Sequence, residues 1–239
     1  MKFCVVSIKT QTSTFRNPEF QNFHKTYELP PPTTIIGFAG AALGLSPRAT
    51  QAYFDKDNLW IGTYGTSQGL AKDLWKYRTF DTKNPSSILK KEILFNNHFI
   101  IVYGSDNYNK VNEIQEAFLN PTYALSLGNN DSLAKIISCE VLAETCKSRD
   151  IENCLVAGNI IGEVLDNIKN GLDFSMFSTS EPITFDLPTR FKYETDYGLR
   201  KIISRQEISI VGEKFRLNVE KEGISYEGRF IPIFPISPK

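Results

Sequence analysis

The sequence predicts an α+β fold of the ferredoxin-like kind: a βαββαβ sheet carrying an inserted basic hairpin, followed by a smaller β-rich unit. Three observations predict it. Apolar β-branched runs and helix-compatible stretches alternate as strand, helix, strand, basic insertion, strand, helix, strand through the first half of the chain. A proline-threonine start opens a glycine-rich apolar helix between the first two strands. Beyond residue 145 short strand-like runs return, separated by turn signals. With 239 residues the chain can bury a core as one domain or one and a half. The division expected is 1–145 for the first unit, with its arm at about 65–95, and 146–239 for the second.

In order, Lys2 to Ile8 is a short β-branched run that suits a central strand. Phe15 to Tyr27 has neither helical nor strand period and is expected to be irregular. Pro30, Pro31 and Pro32 then fix φ, and the last of them can occupy a first helical turn. Gly37, Gly40, Ala41 and Gly44 fall at helical spacing, so one face of the helix is nearly bare backbone and is expected to lie close to a sheet. Gly44, Ser46 and Pro47 end it, and Asn58 to Tyr64 is the next strand. The Gly65 to Lys91 window is read as the arm, Ile93 to Tyr103 as a strand and Asn109 to Leu119 as an amphipathic helix. Tyr123 to Leu127 is expected to be the fourth strand, with Lys135 to Ala143 a further one. Cys154 to Ile168 is ambiguous, Ser178 to Tyr197 reads as loop-rich around Pro182 and Pro188, and strands are expected near Lys201–Val211, Phe215–Val219 and Ile224–Ile231.

Composition narrows the function classes. Hydrophobic content of 41% and a mean hydropathy of −0.25 describe an ordinary soluble protein, and Met1 to Ile8 is too short for a signal or a membrane span. Cys4, Cys139, Cys146 and Cys154 form no Cys-x-x-Cys pair, and two histidines make no zinc site, so reduced cysteines, a cytoplasmic location and no metal or cofactor are expected. Lys and Arg number 27 and so do Asp and Glu. A protein that neutralises bulk duplex is usually more basic, so any nucleic-acid binding must be local.

Two stretches suit such local binding. Phe15 to Tyr27 sets Arg16, His24 and Lys25 among Phe15, Phe20, Phe23 and Tyr27, cations and stackable rings of the kind that hold single-stranded nucleic acid, though such loops also fill satellite cores. The Gly65–Lys91 window holds Lys72, Lys76, Arg78, Lys83, Lys90 and Lys91 against Asp73 and Asp81, with Trp75, Tyr77 and Phe80 interleaved. It is either a soluble edge hairpin or an arm over a nucleic-acid backbone. Gly128, Asn129, Asn130, Asp131 and Ser132 form a turn that either offers backbone N–H groups to an anion or, through Ser132, only caps the segment after it. His98, alone in an apolar strand, reads as a core residue. A nucleotide-triphosphate loop is excluded, because the glycines of the helix lie inside it and no Lys-Ser or Lys-Thr comes after them.

The run ELPPPTTIIGFAGAALG, preceded by FRNPEFQNFHKTY and followed by PTYALSLGNNDSLA, resembles the Cas-five family of CRISPR-associated proteins, members of the RAMP superfamily, most closely the type I-B kind. The resemblance covers roughly the first 145 residues. It implies a non-catalytic subunit of a type I Cascade complex, with an RRM-like palm and a thumb, that caps the 5′ handle of the crRNA in antiviral defence or RNA-guided DNA targeting. Its partners would be the crRNA, the backbone subunit, the large subunit and, through the complex, target DNA, with no membrane. RNA contacts would fall on Arg16, Asn17, Phe23, His24, Lys25 and Tyr27, on Lys72, Lys76, Tyr77 and Arg78 of the arm, and on Gly128, Asn129, Asn130 and Ser132.

One branch of the family, type I-C, implies the alternative: a metal-independent endoribonuclease that processes CRISPR repeat RNA. His24, Lys25 and Tyr27 are the residues this chain could offer for acid-base chemistry on a 2′-OH. The Lys-His pair expected of that branch is absent, since Asn97 precedes His98. A generic single-strand RNA-binding module is a second alternative. A metabolic enzyme is disfavoured by the lack of a dinucleotide fingerprint, metal cluster or nucleophile elbow.

Overall fold

The computed structural model describes residues 1–80, 83, 85–163 and 182–236. Strand β1 (Lys2–Ser13) is an interior strand of a large sheet, one strand in from its edge. Its even and odd positions are both buried, which is why it reads as an unbroken apolar run rather than an alternating one. Next come three two-residue strands, β2 (Phe15–Arg16), β3 (Phe23–His24) and β4 (Thr26–Tyr27). The segment expected to be irregular is therefore pinned by short ladders too brief to impose a period.

Helix α1 (Pro32–Ala42) starts on Pro31 with Pro32 in its first turn, as the proline triplet predicts. A second helix lies outside the sequence expectation: α2 (Pro47–Asp55), with Ser46 accepting from the Ala49 N–H and Pro47 at its first position. Ser-Pro, read from sequence as a stop, is also the standard start of a helix. The α1 glycines correct a second expectation. A Cβ on Gly40 would collide with Thr50 of α2, while Gly44, at φ +74°, receives the Thr122 side chain. The bare backbone thus admits a helix and a loop, not the sheet, and Gly37 meets nothing within 4 Å.

Strand β5 (Trp60–Thr66) leads into the arm, a hairpin of β6 (Gly69–Arg78) with the first half of β7 (Ser86–Ser105). Nearly all of β6 is exposed, whereas the second half of β7 enters the core. Helix α3 (Tyr108–Leu119) buries Val111, Ile114 and Phe118 on one face. The fourth strand is β8 (Ala134–Leu142), not Tyr123–Leu127. The latter stretch is a loop closed by a single Ser126–Leu133 bridge, its Leu125 and Leu127 apolar because they plug the core.

These strands lie in the order β5-β7-β1-β8, all neighbours antiparallel. Cys4, Val6, Ile8, Ile101 and Tyr103 point to the helices, where Ile35, Phe38, Phe54, Val111 and Phe118 meet them, and the Tyr103 hydroxyl donates to the Ile35 carbonyl at 2.8 Å. Phe3, Val5, Ile100 and Val102 face the other way, under Ile224, Tyr226, Ile231 and Ile233.

Those covering residues come from the C-terminal part. β9 (Cys146–Ile151), β13 (Phe215–Tyr226) and β14 (Arg229–Pro232) form a three-stranded sheet. β10 (Cys154–Ala157), β12 (Arg200–Val211) and β11 (Ile183–Tyr193) extend the large sheet beyond β5, which also pairs with β15 (Phe234–Pro235). Thus 183–193, expected within a loop-rich stretch, is a strand: Pro188 sits at a register shift on the sheet edge, where a missing N–H costs little. Residues 164–168 and 178–181 of the uncertain stretches lie outside the described residues.

Candidate nucleic-acid interface

The excursion after β1 is tied down at its root by polar groups. The Thr14 hydroxyl donates to the Glu92 carbonyl at 2.9 Å, the Phe15 N–H to Thr26 Oγ1 at 2.8 Å, and the Thr26 N–H to the buried Glu92 carboxylate at 3.1 Å. Phe15 pairs with Tyr27 and Arg16 with Thr26. Phe15 then packs edge-on against Phe99 at 5.6 Å, and Tyr27 edge-on against Phe185 at 4.9 Å. Strand geometry sends the intervening Arg16 and Lys25 outward.

Midway, Phe23 and His24 pair in parallel with Lys90 and Lys91 of β7. This short ladder brings the excursion onto the arm. Trp75 of β6, half exposed, has its ring 6.3 Å from His24 and 5.9 Å from Tyr77. Lys91 Nζ stands 6.0 Å from the Trp75 ring, Lys72 Nζ 6.0 Å from the Phe23 ring and Lys25 Nζ 5.3 Å from the Phe20 ring. Among the described residues, no carboxylate forms an ion pair with Arg16, Lys25, Lys72, Lys76, Lys90 or Lys91. Strand alternation sorts these groups onto the two faces of the exposed hairpin: His24, Trp75, Tyr77 and Lys91 on one, Phe23, Lys72, Lys76 and Lys90 on the other, contributed by two segments about fifty residues apart in sequence.

Its electrostatics act on His24. Partial burial, then the Arg16 guanidinium and the Lys91 ammonium, hold its pKa below the usual histidine value. Burial pushes the Tyr27 phenol the other way, up to about 12. His24 and Tyr27 therefore do not share a solvent-facing site: one faces Trp75 at the surface, the other belongs to the core.

Of the contact residues expected from sequence, Arg16, Phe23, His24, Lys25, Lys72, Lys76, Tyr77 and Arg78 all fall on the excursion or the arm. Three do not present themselves as expected. Tyr27 is a core residue and is not free to stack. Asn17 is buried, its Oδ1 accepting from the Glu19 N–H at 3.0 Å and its own N–H donating to the Lys25 carbonyl at 2.8 Å. Ser132 is buried too, closing a turn by donating its N–H to the Asn129 carbonyl at 3.0 Å. Gly128, at φ +106°, lies against the backbone of Thr14, where any Cβ would strike the Thr14 carbonyl. The Gly128–Asn130 turn thereby borders the root of the excursion, with Asn130 exposed and Asn129 half exposed.

Trp75, Lys90 and Lys91 complete the surface beyond the contacts expected from sequence. Their position depends on the β3–β7 pairing, and two residues carry no sequence signal for a ladder. His98 is neither buried core nor free. Its Nε2 lies 2.8 Å from Ser7 Oγ, and burial, then the Arg229 charge, hold its pKa below the usual value. Among the described residues, no three His, Cys, Asp or Glu side chains cluster as metal ligands, and no helix is long and apolar enough to cross a membrane.

A family model described as CRISPR-associated protein (Cas_Cas5) matches residues 5–202. A chain of a CRISPR RNA-guided surveillance complex is similar in fold, with a TM-score of 0.56 and 11% identity over 90% of this chain and 91% of that one. A CRISPR protein from Archaeoglobus fulgidus gives a TM-score of 0.47 and 10% identity over 99% and 100% of the two chains. A chain of the type III-B Cmr-beta bound to cognate target RNA and AMPPnP gives 0.46 and 12% over 90% and 86%. No curated protein sequence matches the chain.

Proposed function

The chain belongs to the Cas5 family of CRISPR-associated proteins, and from that premise we propose that it is a non-catalytic subunit of a CRISPR surveillance complex that holds the 5′ handle of the guide RNA. The β5-β7-β1-β8 order, with helices crossing between β1 and β5 and between β7 and β8, is read as a ferredoxin-like palm, and the β6–β7 hairpin as its thumb. The observation that carries the reading is the β3–β7 ladder, which merges the Arg16–Lys25 excursion with Trp75, Tyr77 and Lys91 into one ring-and-cation surface. Handle nucleotides would stack on Trp75 and Tyr77 with phosphates on Arg16, Lys25 and Lys91, while Phe23 and Lys72 would meet RNA that wraps to the other face of the hairpin. A net charge of zero suits a subunit whose neighbours, the backbone and large subunits, carry the rest of the RNA and the target DNA.

The non-catalytic part rests on the separation of His24 from Tyr27. An acid-base pair must reach the same phosphodiester, and a core phenol titrating at about 12 cannot serve beside a surface imidazole. The test is co-expression with a CRISPR array and neighbouring genes, purification on this chain and sequencing of the retained RNA. A guide RNA of uniform length, whose 5′ handle loses nuclease protection when Arg16, Phe23 and Lys25 become alanine, is expected. Cleavage of repeat RNA by the purified chain in the presence of a metal chelator would replace this reading with the ribonuclease.

A further inference from the structure

A cavity of about 490 Å³ opens between α1, α2 and the β11–β12 hairpin, and none of its lining residues belongs to the interface above. Its size falls within the range of small-ligand sites. Tyr123, Phe191, Tyr193 and Tyr197 line it, and Arg200 is the only charged lining residue among those described.

The walls are held by specific bonds. Gln51 of α2 clamps the backbone of Phe191 twice, accepting its N–H at 2.7 Å and donating to its carbonyl at 2.6 Å. Next to it Arg190 pairs with Asp55 at 2.6 Å. On the other side the Thr122 N–H donates to the Ala42 carbonyl at 3.0 Å and its side chain occupies the gap at Gly44, which fixes Tyr123 at the rim.

Two features are unexplained by folding. Tyr197 is 78% and Tyr123 53% exposed, large rings around one opening. Gly37 lies in the interior of α1 facing the cavity, and a Cβ there would meet nothing within 4 Å. A helix-interior glycine that no neighbour requires is destabilising, and here it leaves part of the cavity wall as bare backbone.

We propose that this cavity holds one nucleotide of a single-stranded nucleic acid, its base against Tyr123 and Tyr197 over the bare backbone of Gly37 and its phosphate on Arg200. The chemistry favours that ligand: rings with hydroxyls, one cation, no carboxylate among the described lining, and a guanidinium held 4.4 Å from the Phe191 ring, which positions it for the phosphate.

The experiment is photocrosslinking of the full chain to short oligouridylate and oligothymidylate, mapped by mass spectrometry. Crosslinks at Tyr123 or Tyr197 are expected, lost in Gly37→Leu and in Arg200→Glu while crosslinks at Trp75 and Tyr77 of the arm persist. Preference for the ribose or deoxyribose probe assigns the source as guide RNA or DNA. Gly37→Ala separates ligand from fold: it raises Tm yet weakens the cavity crosslink several-fold. Crosslinks confined to the arm, cavity crosslinks indifferent to both variants, or loss of arm and cavity crosslinks together in Arg200→Glu each overturn the proposal, the first leaving the cavity to a protein partner. Because arm and cavity are read separately, loss of the arm signal alone counts against the handle reading and not against this one.

Discussion

Partial burial, and after it the Arg16 and Lys91 charges, disfavours the charged form of His24. Its folded pKa lies below the unfolded one, so on acidification the unfolded chain takes up the proton first and stability falls as pH drops through about 6.5. A bound phosphate acts oppositely and favours the imidazolium. RNA affinity of the wild type should therefore rise several-fold from about pH 8 to about pH 6, and His24→Gln should abolish most of that rise in fluorescence anisotropy at constant ionic strength. His98, held beside Ser7 and away from the proposed RNA surface, is the control, and His98→Gln should leave the slope in place. Trp75→Ala should weaken RNA binding by about 1–3 kcal/mol, the worth of one stacked base, with little change in Tm because the ring is half exposed. Tyr27 predicts the reverse. Truncation to alanine removes a buried ring and should cost about 3–5 kcal/mol of stability, whereas Tyr27→Phe should bind RNA like the wild type. Loss of an RNA-directed activity in Tyr27→Phe would contradict its placement in the core.

At the scale of elements, the two inner glycines of α1 make opposite predictions from one sequence pattern. Gly40→Ala forces a Cβ into Thr50 and should destabilise by about 1–3 kcal/mol, while Gly37→Ala gains helix propensity and should stabilise by about 1 kcal/mol, both read by thermal denaturation. The sequence shows that such a helix needs a close neighbour but not which one, because α2 hides behind a Ser-Pro that also reads as a terminator. The arm is legible from its charge and ring content, since an exposed hairpin owes little to tertiary context. Reversing Lys72, Lys76 and Arg78 together should reduce the salt dependence of RNA binding, lowering the slope of log K against log salt by about 2 for three single-strand phosphate contacts. The same change at Lys2 and Lys147 should leave it intact. The assembly of the site is not legible: β2, β3 and β4 are two residues each, and their meaning lies in which edge of β7 they meet.

For the whole molecule, equal numbers of acidic and basic residues conceal a sorted distribution, with Arg16, Lys25, Lys72 and Lys91 gathered on the excursion and arm and ion pairs such as Lys110–Asp57 and Lys221–Glu163 placed elsewhere. Strand content and the β5-β7-β1-β8 part of the sheet are legible as apolar runs buried on both faces. The 123–127 stretch misleads because a core-plugging loop has the composition of a strand, and Pro188 misleads because the edge position that tolerates it is a tertiary fact. The proposed function depends throughout on excursion and arm forming one surface. The most direct test is crosslinking of the purified guide-RNA complex with mapping at single-nucleotide and single-residue resolution. The same or adjacent 5′-handle nucleotides are predicted to crosslink both to His24 or Lys25 and to Trp75 or Tyr77. Handle crosslinks that avoid both segments, or that reach one while the other touches a distant part of the RNA, would contradict it.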